Sequence, residues 1–281
     1  MLYVGVVLAL FIGVLLGMLG GGGAILTLPM LVYVLGLEAK SAIATSLVVV
    51  GTTSLVGMLV HARAGAVRWG VGGLFGVAAM AGAYAGGRVA AFIPATVLLV
   101  LFGVVMVSTS IMMLRGRSDE SASGRPMHVP MVLALGAAVG GLSGLVGAGG
   151  GFLIVPALVL FGGLPMRQAI GTSLLVIGMQ SFAGFLGHVS HAHLDLGLVG
   201  TVTLASVVGS LVGATLGKKV PTDLLRQGFA WLVVAMGLFL FFKQLPLWMA
   251  SGIAVLVLSV IAVVTRRASA ARSIRPSPLQ Q

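Results

Sequence analysis

The chain has 281 residues, 59% hydrophobic and only 7% charged, against the roughly 25% charged residues of a soluble domain, so it reads as an all-α integral membrane protein without an extramembrane domain. The absence of cysteine excludes disulfide, thiol and iron-sulfur chemistry, and the 43 glycines show no collagen-like triplet period. The formal net charge of +11 lies in short loops and the tail, a membrane-orientation pattern rather than a nucleic-acid face.

Residues 1 to 19 form the first apolar run. They lack a basic leader and end in glycines rather than a small-x-small cleavage site, so they read as a membrane helix over about 2 to 19 and not as a signal peptide. LGGGGAILTLP (19 to 29) then interrupts that helix, because a glycine inside a helix is about 1 kcal/mol worse than alanine and four in a row open it. A short apolar segment over 24 to 36 follows, then helices over about 41 to 60, 67 to 87 and 94 to 114. Residues 115 to 129 (RGRSDESASGRPMHV) form a polar linker. The same order recurs over about 130 to 146, 152 to 163, 168 to 187, 194 to 216 and 222 to 242. One unmatched helix over about 247 to 265 and a basic polar tail, 266 to 281, complete the chain.

The recurrence is an internal repeat. Shifted by 127 residues, Gly17 to His61 falls on Gly144 to His188 without a gap and with about half the positions identical. Matched pairs include Gly20/Gly147, Gly22/Gly149, Gly23/Gly150, Pro29/Pro156, Thr45/Thr172, Ser46/Ser173, Gly51/Gly178, Ser54/Ser181 and His61/His188. The boundaries are therefore a first repeat over 1–114, a linker over 115–129, a second repeat over 130–243, an extra helix over 244–265 and the tail. The short segments 24 to 36 and 152 to 163 span only about 20 Å as helix, and each carries a proline, which marks them as broken or re-entrant. Small-xxx-small spacings at Gly13/Gly17, Gly82/Gly86, Gly140/Gly144 and Gly209/Gly213/Gly217 suit close helix packing.

Charge orients the repeats. With Arg266, Arg267, Arg272 and Arg275 placed in the cytoplasm, 13 basic residues fall inside and 3 outside (Lys40, Arg88 and Lys243). The loop after His61 is then inside and basic, whereas the loop after His188 is outside and free of Lys and Arg. The expectation is two inverted repeats of helices with broken or re-entrant glycine-rich segments, plus one extra C-terminal helix, an architecture used by secondary transporters. A multi-pass protein of a bacterial inner membrane with a cytoplasmic C-terminus follows.

Backbone freed from a helix inside a bilayer must find protein, water or ligand partners, and glycines let a ligand approach N–H groups at the start of the next helix. The breaks at Gly20, Gly22, Gly23 and at Gly147, Gly149, Gly150 therefore suit a small anion or a carbonyl-coordinated cation. Tight helix crossing alone is the competing reading, and the in-register repetition of glycines, proline and Thr-Ser favours a site. Thr45, Ser46, Thr172 and Ser173 offer hydroxyls that either cap the following helices or donate to an oxyanion. Thr52, Thr53, Gln180 and Ser181 continue a polar stripe that serves equally well as contact between helices. His61 and His188 are candidates for proton coupling, with an interfacial polar role as the alternative. His188, His191, His193 and Asp195 are close in sequence but lack a metal scaffold, and no metal or cofactor is expected. No acidic residue falls inside a span, and no P-loop or nucleophile-base pair appears, so the chain is not expected to be an enzyme.

The paired LGGGGAILTLP and VGAGGGFLIVP, each followed by ATS or GTS about 16 residues beyond the proline, resemble the sulfite exporter TauE/SafE family of membrane permeases. The resemblance covers roughly 1 to 243. It implies movement of sulfite, organosulfonates or related sulfur compounds across bacterial inner membranes, and it marks the same glycines, prolines and Thr-Ser pairs; Gly21 departs from its copy Ala148. The resulting expectation is a permease exporting a small sulfur-containing anion, with both breaks and both Thr-Ser pairs in one central site and Pro29 and Pro156 as hinges. Uptake, a channel-like path and a non-transporting membrane scaffold are the alternatives. A homodimer is permitted, and no nucleic acid is a partner.

Overall fold

In a computed structural model, the residues described are 2–90, 93, 95–115, 129–146, 151–188, 194–244, 246, 249, 251–255, 257, 259 and 261. Among them there is no strand. The first half runs through α1 (Leu2–Leu19), a 3-10 turn (Gly21–Gly23), α2 (Ala24–Pro29), a π-helical stretch (Met30–Val34), α3 (Ala39–Arg63), α4 (Trp69–Ala90) and α5 (Ala95–Arg115). The second half runs through α6 (Val129–Val146), α7 (Gly151–Pro156), a π-helical stretch (Ala157–Phe161), α8 (Met166–His188), α9 (Leu196–Gly217) and α10 (Thr222–Gln244). Residues 251–255 are helical again, within the extra segment expected there. Among the described residues, four helices, within α3, α8, α9 and α10, are long and apolar enough to cross a membrane. Large apolar side chains such as Val7, Val77, Leu186 and Leu204 point outward, which suits lipid rather than water.

Each short segment changes character at its proline. Pro29 and Pro156 end an α-helical turn, and the backbone continues with a wider pitch. The hydrogen bonds that close the π stretches, Leu35 N–H to Met30 O at 3.2 Å and Gly162 N–H to Ala157 O at 2.9 Å, are equivalent under the 127-residue shift. Proline removes an N–H from the helical ladder, and a π turn reorganises the bonds that follow.

The helices pair across the two halves. α1 packs on α9 and α4 on α6, while α3 packs on α8 and α5 on α10. In the first two pairs, glycines bring backbones together: a Cβ at Gly13 would meet the Ser206 carbonyl oxygen, and one at Gly209 would meet the Leu10 oxygen. The equivalent positions repeat the arrangement, Gly140 against Ala79 and Gly82 against Ala137. Only a residue without a side chain permits this approach, which lets dispersion between whole helix faces replace the hydrophobic driving force that lipid does not supply. Residue numbers rise together along α1 with α9 and α4 with α6, so these pairs are parallel. Leu47 near Gly184, Gly51 near Ser181, Leu55 near Gly178 and Leu174 near Gly57 make α3 and α8 antiparallel.

Candidate functional site

The first break begins where α1 ends. Gly20 takes φ 73° and ψ −124°, a combination that glycine reaches far more easily than an L-residue. The 3-10 turn of Gly21–Gly23 follows, and Gly23 lies so close to α1 that a Cβ there would be 2.6 Å from the Ile12 oxygen. Helix α1 thus stops without a side-chain cap of its own. One of its last carbonyls, Gly17 O, is instead paired with Nε2 of His61 at 3.0 Å, from the end of α3. A carbonyl only accepts, so His61 carries a proton on Nε2 and donates it. The ring is 6% exposed and supplies one of the partners that a helix C-terminus lacks.

The break meets the other half. The nearest atom to a Cβ built at Gly20 would be Ser173 Oγ at 2.7 Å, and a Cβ at Gly151 would be 3.2 Å from the Cα of Gly21. Gly171, just before Thr172, faces the Ala66 oxygen and the His61 side chain at 2.6 and 3.1 Å in the same sense. Thr172 Oγ1 accepts from Arg68 N–H at 3.0 Å, and Arg68 Nε donates to Gln168 Oε1 at 2.9 Å, which ties the α3–α4 loop to the first turns of α8. Gly20, Ser173, Thr172, Gly171 and His61 therefore form one neighbourhood at the seam between the repeats.

The two Thr-Ser pairs do not meet. Because α3 and α8 are antiparallel, Ser46 and Ser173 lie toward opposite ends of the pair, roughly 20 Å apart at 1.5 Å per residue. The expectation of a single central site holding both pairs is therefore corrected: the pairs do not share one site. The capping role is corrected too: α3 begins at Ala39 and α8 at Met166, so the pairs sit almost two turns inside their helices. Ser46 Oγ donates to Ile43 O and Ser173 Oγ to Ile170 O, both at 2.8 Å, which leaves each oxygen's lone pairs as its free capacity. Thr45, Thr172 and Ser173 are buried, and Ser46 is half-buried. Gly22 lies within the 3-10 turn. Gly147, Gly149 and Gly150 lie outside the described residues, as do His191 and His193; His188 ends α8, and nothing further of its side chain is described. Asp195 is the N-cap of α9, its Oδ1 accepting from Gly197 and Leu198 N–H at 2.9 and 3.1 Å.

What sequence reading passed over is the cross-repeat pairing itself. The glycine spacings signalled close packing but not that the first helix of each repeat would pair with the fourth of the other. Of the polar stripe, Thr53, Gln180 and Ser181 are buried and Thr52 half-buried.

Residues 5–240 match the family described as Sulfite exporter TauE/SafE. The chain belongs to that family. The TauE/SafE chain is similar to a probable membrane transporter protein of Xylella fastidiosa strain 9a5c, at 34% identity over 83% of this chain and 92% of that one. It is also similar to the probable membrane transporter protein YdhB of Bacillus subtilis, at 28% identity over 84% and 99% of the two chains. A probable membrane transporter protein of Methanocaldococcus jannaschii is 25% identical over 84% and 93%. No solved structure matches the chain. As a TauE/SafE protein it is a membrane transporter.

Proposed function

We propose that this transporter exports a small sulfur-containing oxyanion or organosulfonate, such as sulfite, across a bacterial inner membrane by alternating access. The observation that carries the reading is the seating of the Gly20–Gly23 break on Ser173 and Gly151 of the other repeat, since relative movement of the two halves would open and close that seam. The parallel course of α1 with α9 and α4 with α6, and the antiparallel course of α3 with α8, support inverted repeats. The breaks around Gly20 and Gly147 would bind substrate in turn through backbone N–H groups, each beside the Thr-Ser pair of the opposite repeat, whose serine hydroxyls would have to release their own-helix carbonyls to donate to it. The π stretches after Pro29 and Pro156 would take up the bending. Helical residues within 244–265 support the extra helix, which would place the basic tail in the cytoplasm.

Neutral hydrogen-bond donors, such as backbone N–H groups and hydroxyls, suit an anion that must be released as well as held. If His61 couples a proton to transport, it gains that proton on Nδ1, because Nε2 already carries one to Gly17 O.

The test is efflux of labelled sulfite from proteoliposomes, with and without an imposed proton gradient and with sulfoacetate and thiosulfate as competitors. Saturable efflux that the gradient changes, and that Gly22→Ala with Gly149→Ala abolishes in folded protein, is the expected result. Uptake against the proposed direction, or linear non-saturable flux, would replace export with uptake or a channel. No movement of any sulfur oxyanion by folded protein would remove the substrate assignment.

A further inference from the structure

Helices α3 and α8 cross near their midpoints. Ser181 Cβ lies 3.2 Å from where a Cβ on Gly51 would stand, and Leu55 packs into the equivalent space at Gly178. Gly51/Gly178 and Ser54/Ser181 are matched pairs of the repeat, so the point about which the two halves exchange falls here. At that level four polar side chains are enclosed: Thr53, Ser54, Gln180 and Ser181 are 1%, 0%, 6% and 1% exposed.

One oxygen on each of them is not used by the fold. Thr53 Oγ1, Ser54 Oγ, Ser181 Oγ and Gln180 Oε1 have no hydrogen-bond partner, whereas Ser46, Thr109, Ser110 and Ser173 all donate to carbonyls of their own helices. Three hydroxyls thus forgo the bond that other hydroxyls of the same chain make. Gln180 is positioned by its other end, Nε2 donating to Ser143 Oγ of α6 at 2.9 Å. Buried groups left this way in a low-dielectric interior are strongly disfavoured unless something else meets them.

We infer that Thr53, Ser54 and Ser181 form a solute-binding station halfway through the protein, distinct from the glycine breaks, for a small oxyanion held by hydroxyl donors, with Gln180 Oε1 beside it to accept from a protonated oxygen of the solute. Ser46 and Ser173 each lie eight residues from this level along their helices, about 12 Å, so the station lies between the two Thr-Ser neighbourhoods and links them. A divalent cation held by carboxylates is the wrong occupant, because the described carboxylates Glu38, Asp195 and Asp223 all lie at helix ends or in loops. The inference rests on the oxyanion-transport reading for its substrate and on burial and unpartnered atoms for its place.

The experiment combines two arms on the full chain. In proteoliposomes, Ser54→Ala with Ser181→Ala is expected to slow labelled sulfite efflux by at least about tenfold, equivalent to about 1.4 kcal/mol. Its melting temperature should be unchanged or raised, since the lost hydroxyls make no bond in the fold. Efflux within about twofold of the wild type would overturn the station while leaving the transport reading intact.

The second arm needs no flux and serves if the alanine variant misfolds or the wild type moves no sulfite. The chain has no cysteine, so Ser54→Cys and Ser181→Cys, nearly isosteric, each supply one thiol. Labelling by a water-soluble methanethiosulfonate reagent, slowed by sulfoacetate, supports the station. Thiols that stay unlabelled in folded protein, or label at a rate sulfoacetate does not change, overturn it.

Discussion

Gly20→Ala tests whether the first break is built around its contact with the second repeat. An L-residue held at φ 73° and ψ −124° carries about 1–3 kcal/mol of backbone strain. The new methyl would also stand 2.7 Å from Ser173 Oγ and 3.2 Å from Val155 Cγ2, and overpacking of that kind costs a further ~1–3 kcal/mol. The expected loss is about 2–6 kcal/mol, a large part of the ~5–15 kcal/mol that holds a typical protein folded. Gly65 separates the two causes: it has φ 68° with nothing within 4 Å of an added Cβ, so Gly65→Ala carries strain alone. Ser173→Ala removes the atom that the new methyl would strike. Unfolding in mixed micelles, followed by tryptophan fluorescence for the two single variants and the double, gives the coupling energy. Relief of at least about 1 kcal/mol in the double variant is expected, and additivity within about 0.5 kcal/mol would refute the Gly20–Ser173 contact as a constraint.

The other predictions use the same unfolding measurement. His61→Ala leaves Gly17 O without its donor inside the protein and should cost about 1–3 kcal/mol, with His61→Gln recovering part through its amide N–H; an effect below about 0.5 kcal/mol would mean water replaces the ring freely. Gly13→Val and Gly140→Val should each separate a parallel helix pair and abolish folding or cost several kcal/mol, whereas Gly70→Ala and Gly73→Ala, with open space around the new methyl, should be neutral or stabilise by up to about 1 kcal/mol. Equal effects at both kinds of glycine would refute the close-approach argument. Asp195→Ala should cost about 1 kcal/mol by uncapping α9, and Asp195→Asn should retain most of the cap; equal loss in both would deny the capping role.

Much of the fold was legible in the sequence. The 127-residue offset placed every element of the second half from the first: α6, α8, α9 and α10 begin 127 residues after α1, α3, α4 and α5. Apolar run length, the glycine cluster and the loop residues are local signals, and in lipid only helices and closed barrels satisfy the backbone, of which continuous apolar runs of about 20 residues select the helix. The short segments were recognisable from length and proline, although their π turns were not, since that depends on which carbonyl each freed N–H reaches.

The site was less legible. The sequence identified Gly20, His61, Thr172 and Ser173 as belonging to repeated motifs and expected the first break to meet the second repeat's Thr-Ser pair, yet gave no sign that His61 would join them by closing α1. It also suggested that both Thr-Ser pairs converge, because matched motifs invite a single shared site. The antiparallel course of α3 and α8 sends them apart instead.

The sequence by itself determined the class of protein, its repeat and the helices, through composition and spacing that act within a few turns of chain. Only the tertiary structure decided which glycines touch which carbonyls, that His61 closes α1, and that Ser54 and Ser181 are buried without partners. Those facts follow from which helix faces meet across more than a hundred residues of chain, and no local propensity encodes that choice.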